Sequence, residues 1–69
     1  MKIIDANTIL YTDDIIYEPS SHIHYVIGAI IGQTIIMYPL TYWGVSSHQI
    51  TINRSTMNGK LVLLQVAHG

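Results

Sequence analysis

His22-Ile23-His24-Tyr25-Val26-Ile27-Gly28-Ala29-Ile30-Ile31-Gly32-Gln33-Thr34-Ile35-Ile36-Met37-Tyr38 decides the fold. Most of these side chains are β-branched or aromatic, the kinds that suit a pleated, half-buried surface. Gly32-Gln33 divides the stretch, with glycine first as a type II′ hairpin turn prefers. The reading is a long strand from His22 to Ile31, a two-residue turn, and a return from Thr34 to Tyr38. Pro39 lacks the N–H that a central strand needs, so it ends the return strand or places it at an edge. Thr41 to Val45 continues it. With no irregularity in the ladder, Ile27, Ile36 and Tyr38 share one face, expected to be the internal core. Ile35 and Met37 then share the other face with His22, His24 and Val26, expected to meet a second subunit. Under that expectation Met37→Glu would lower the oligomer mass and leave β structure.

The stretch admits a competing reading. Tyr25 to Val45 is 21 residues without a charge. That length spans a bilayer as a helix, and Gly28-x-x-x-Gly32 is a small-residue helix-contact pattern. Gln33, Pro39, the Ile/Thr bias and the lack of flanking Lys or Arg anchors weigh against it. A membrane helix is therefore disfavoured.

Composition extends the β reading to the whole chain. Thirteen isoleucines, six threonines and five tyrosines stand against three alanines, five leucines and one glutamate. The fold class expected is all-β. It would be a single domain over residues 1–69, of five to seven short strands in a small rolled sheet, barrel or compact sandwich. Only 10% of residues are charged and 49% are hydrophobic, where globular sequences average about 25% charged. A chain this short cannot bury that much apolar surface alone, so the expectation is a homo-oligomer.

Lys2, Arg54 and Lys60 are the only Lys and Arg residues, and the net charge is −1. Nucleic-acid binding relies on several cations neutralising phosphates and is disfavoured. There is no cysteine, hence neither a disulfide framework nor a thiolate metal site. No signal-like apolar run follows Met1-Lys2, and the location expected is cytoplasmic.

Towards the N-terminus, Lys2–Asp5, Thr8–Thr12 and Ile15–Glu18 read as short strands. Asp13-Asp14 marks a turn and Pro19-Ser20-Ser21 a loop. Towards the C-terminus, Ser46-Ser47 is a loop. His48–Thr56 and Lys60–His68 then read as a last hairpin around Met57-Asn58-Gly59. That register pairs Ile52 with Leu64, Arg54 with Val62 and Thr51 with Gln65, with Gly59 left-handed.

His22-x-His24 is the first chemical candidate, because alternate strand residues share a face as a chelating pair requires. The last hairpin would set His48 opposite His68, and Glu18, Asp13 and Asp14 could complete a metal site. Polar positions at strand ends and loops, near Ser20-Ser21 and Ser46-Ser47, are the plainer account of the same histidines. Ser, His and Asp all occur, but no nucleophile elbow does, so the chain is not expected to be an enzyme. Tyr38, Tyr42 and Trp43 crowd one segment and, with Thr51 and Gln65, form the candidate ligand site. Aromatics with polar tips favour interfaces, although core packing would use them as well.

Val26-Ile27-Gly28-x-x-x-Gly32 and Leu64-Gln65-x-Ala67-His68-Gly69 loosely resemble two short segments of the trp RNA-binding attenuation protein family. Its β-subunits form rings that bind tryptophan between subunits. That family's basic RNA-binding residues have no clear counterparts here beyond Arg54.

The expected function is non-enzymatic: a small homo-oligomeric binding protein, without a cofactor, that sequesters or senses a metabolite or nucleotide at its subunit interfaces. The competing class is a protein-interaction module or inhibitor that docks an apolar aromatic face on a larger protein.

Overall fold

The computed structural model describes residues 2–65, which form a mostly antiparallel β structure without an α-helix. The strands are β1 (Lys2–Ile3), β2 (Ile15–Glu18), β3 (Ile23–Ile31), β4 (Thr34–Thr41), β5 (Gly44–Val45), β6 (Ile50–Asn53) and β7 (Val62–Gln65). A 3-10 helix, Arg54–Met57, joins the last two. They build one open sheet in the order β1-β7-β2-β3-β4-β5, with β6 also on β4. The sheet does not close into a barrel. No helix among the described residues is long and apolar enough to cross a membrane. The Tyr25–Val45 stretch is instead the β3–β4–β5 meander.

The β3–β4 hairpin turns as its sequence indicates. Gly32 has φ +59 and Ile31 pairs with Thr34 across the two-residue loop. One residue changes everything below the turn. Ala29 pairs with Ile36, but the next pair is Ile27 with Met37, so Gly28 is an extra residue, a β-bulge. A bulge moves the following residues of its strand by one position and exchanges their faces relative to the partner. Ile27 therefore lies with Ile35 and Met37, which are 0%, 1% and 2% exposed, and all three belong to the core. The expectation that Ile36 and Tyr38 face inward and Ile35 and Met37 outward is reversed. A Cβ at Gly28 would run into Cε2 of Tyr38 and lie 2.9 Å from its Cδ2, so any larger residue there would have to displace that ring.

Pro39 does not end β4. Its carbonyl accepts from Ser46 N at 2.8 Å, and a strand residue's N–H and C=O point to the same side. The absent N–H would face Ser46 as well, just past the end of β5 opposite Leu40, so only the reciprocal bond to Ser46 O is forgone.

The expected last hairpin does not form. β6 pairs with β4, Ile52 opposite Ile35, while β7 pairs with β1 and β2. Asn53 Oδ1 accepts from Ser55 N and caps the 3-10 helix, which carries Met57 into the core at 0% exposure. Side-chain capping by short polar residues competes with strand extension, and Asn53, Ser55 and Asn58 all favour the turn. Gly59 is left-handed as expected, at φ +75, but it serves the link to β7 and donates to Ile4 O.

The expected Thr8–Thr12 strand is also absent. Asp5 Oδ1 accepts from Asn7 N at 2.8 Å and from the Thr8 hydroxyl at 3.2 Å. Asp14 Oδ2 accepts from Tyr11 N at 2.9 Å. These bonds fold residues 5–14 into a loop across the core. Ile4, Met57 and Leu61 join Ile16, Tyr25, Ile27, Ile35, Met37 and Leu63 beneath the sheet's inner face.

Candidate functional site

The outer face of the sheet follows from the ladder, because paired residues share a face. Tyr17 lies beside His24, His24 beside Leu40 and Leu40 beside Val45. Val26 lies beside Tyr38, and Ala29 and Thr51 flank Ile36. Ile15 joins Val26. None of these residues is fully buried, and none is an acid, lysine or arginine. The chain's seven charges lie elsewhere: Asp5, Asp13, Asp14 and Lys60 in loops and turns, Arg54 in the 3-10 helix. Lys2 pairs with core Leu63, and Glu18 is held on the inner side by Tyr25. The charge deficit of the sequence is thus concentrated on one surface.

Tyr42 and Trp43 form the two-residue loop between β4 and β5, each 90% exposed. Their rings meet edge to face, with centroids 5.0 Å apart. The turn is fixed by the Thr41 hydroxyl, which donates to Gly44 O and accepts from Trp43 N. Tyr38 is half-buried over Gly28 and Thr51 is exposed on β6. Of the candidate ligand residues, Tyr38 and Thr51 share the outer face and Tyr42-Trp43 continues it at one end. The side chain of Gln65 lies outside the described residues.

His22 is not on a strand. It has φ +59 and sits in the turn before β3, so the shared-face argument for His22-x-His24 does not apply. Tyr17 links the two histidines instead. Its hydroxyl lies 2.9 Å from His22 Nδ1, and its ring centroid is 4.7 Å from that of His24. His48 is exposed in the loop after β5, and its N donates to Ser46 Oγ. The pairing of His48 with His68 loses its basis with the missing hairpin, and His68 lies outside the described residues. Among the described residues no three His, Cys, Asp or Glu side chains converge as a metal site would require. Asp14 is buried and Glu18 is engaged by Ser21 Oγ and Tyr25 Oη.

Two groups have displaced pKa values. The Asp5 carboxyl is held below its ordinary value, first by the Asn7 N–H and then by the Thr8 hydroxyl. The Tyr25 phenol is raised, first by burial and then by the Glu18 charge. Both are structural in character.

Sequence reasoning missed a second feature, centred on Arg54. Its guanidinium donates to Asn58 Oδ1 at 2.6 Å, Asp5 O at 2.9 Å and Thr8 O at 2.7 Å. It clamps the N-terminal loop to the 3-10 helix and lines a cleft of about 390 Å³. The readable signal was the capping pattern Asn53-Arg54-Ser55, which turns the chain where a strand was expected.

Comparison with known proteins gives no match: no family model, no curated protein and no solved structure.

Proposed function

We propose that the chain is a non-enzymatic binding protein that associates with a second copy of itself by stacking outer sheet faces. One observation carries this reading: the outer face of the sheet is largely apolar and bears none of the seven charges. Sheets ordinarily bury both faces or solvate one with polar residues. An uncharged face meets its own copy without like-charge repulsion, and two such faces pack as the layers of a sandwich. β3 alone runs about 30 Å, close to the molecule's longest dimension of 32 Å. The strands β2 to β6 give a footprint on the order of 400 Å², which the exposed Tyr42, Trp43 and Val45 enlarge towards the roughly 800 Å² per partner of ordinary stable interfaces.

Sedimentation equilibrium tests the reading. The wild type should sediment as a dimer or higher multiple at tens of micromolar, and Ile36→Glu as a folded monomer with an unchanged far-UV spectrum. A wild-type monomer throughout, or a fully assembled Ile36→Glu, overturns it. A second reading has its own observation, the 90% exposure of Tyr42 and Trp43. An aromatic pair displayed at a hairpin tip suits insertion into a pocket on a different protein. A monomeric wild type would favour that reading.

A further inference from the structure

The cleft beside Arg54 lies on the core side of the sheet, at the Gly32-Gln33 end of the hairpin. Leu10, Ile30 and Ile35 give it an apolar wall, and Thr8, Ser55 and Asn58 add polar groups. Its volume falls within the range of small-molecule sites, which combine apolar walls with a few convergent polar groups. Ile30 remains 37% exposed here, although it pairs with buried Ile35.

Arg54 is the informative residue. It is half-buried, and the three hydrogen bonds its guanidinium makes among the described residues go to uncharged oxygens, two backbone carbonyls and one side-chain amide. A guanidinium has five N–H donors, so two remain beyond these bonds. Its position as a clamp explains the three bonds. It does not explain a cation that meets no carboxylate among the described residues in a partly desolvated site, an arrangement that favours a bound anion.

We infer that this cleft binds a small amphipathic anion, a carboxylate or phosphate monoester with a short aliphatic tail. The head would meet the free donors of Arg54, and the tail would cover Leu10 and Ile30. The inference rests on reading the chain as a binding protein and is independent of self-association, since the cleft and the outer face lie on opposite sides of the sheet.

The test is an amide chemical-shift titration with hexanoate, hexyl phosphate and hexylammonium, run on the wild type and on the monomeric Ile36→Glu variant. Saturable shifts at Gly32, Gln33, Ser55 and Asn58 with either anion, and none with hexylammonium, are expected in both proteins. Whichever anion binds tighter identifies the head group. Arg54→Gln should weaken binding about tenfold or more, the loss of a charge-assisted hydrogen bond. If that variant fails to fold, Gln33→Glu serves instead, because it places a negative charge at the cleft mouth and leaves the clamp untouched. It should weaken the anions severalfold. Equal binding of hexylammonium, no saturable shift with either anion, or full affinity in Gln33→Glu overturns the inference. Binding that survives in an Ile36→Glu monomer, or fails in an assembled wild type, separates this site's fate from that of the dimer.

Discussion

Asp5 shows how a single side chain can redirect a segment. Residues 8–12 have the composition of a strand, yet Asp5 Oδ1 gathers Asn7 N and the Thr8 hydroxyl, and Thr8 Oγ1 accepts in turn from Asp5 N at 3.0 Å. The ionised carboxylate makes these bonds, so its folded pKa lies below the ordinary 3.8. A depressed folded pKa contributes stability that is fully present above the unfolded value and is lost as pH falls through the folded one. The Asn7 and Thr8 amide shifts should therefore titrate together below pH 3.8, and Asp5→Asn should abolish that transition. Titration of Asp5 at or above its ordinary value would show that the loop is not held this way.

At the scale of elements, β2, the β3–β4 hairpin and its Gly32-Gln33 turn were legible, because hydrophobic runs and turn chemistry agreed there. The faces of that hairpin were not. Gly28 reads equally well as an ordinary strand glycine, and only its bulge, beneath the Tyr38 ring, tells which residues point inward. The last hairpin failed for a related reason. Ile50, Ile52, Val62 and Leu64 alternate well enough to pair with one another, but β4 and β2 offer competing edges that local pattern does not reveal. The candidate site suffered accordingly: Ile36 and Tyr38 were expected in the core but lie on the outer face, and Thr51 was set opposite Gln65 in a hairpin that does not form. Arg54 was read as a strand residue. Gly28→Val should destabilise the domain by about 1–3 kcal/mol, the usual cost of overpacking, measured by urea denaturation. Adding Tyr38→Ala should recover part of that loss, since contacting residues couple. Equal losses with and without the tyrosine would mean that the ring does not set the bulge.

For the whole molecule, a small open sheet with its core on one side leaves the other side to be covered. The inner and outer faces of β4 should answer oppositely to charge. Met37→Glu places a carboxylate among Ile27, Ile35 and Met57 and should cost about 3 kcal/mol or more, enough to unfold a domain this small. Ile36→Glu should leave the subunit folded. The most direct test of the central claim is an isotope-filtered nuclear Overhauser spectrum of a mixture of labelled and unlabelled chains. The account predicts contacts between copies that join Val26, Ile36 and Tyr38 of one subunit to the same surface of the other. Contacts confined to the Tyr42-Trp43 tip, or none between copies at concentrations where the protein sediments as a dimer, would contradict it.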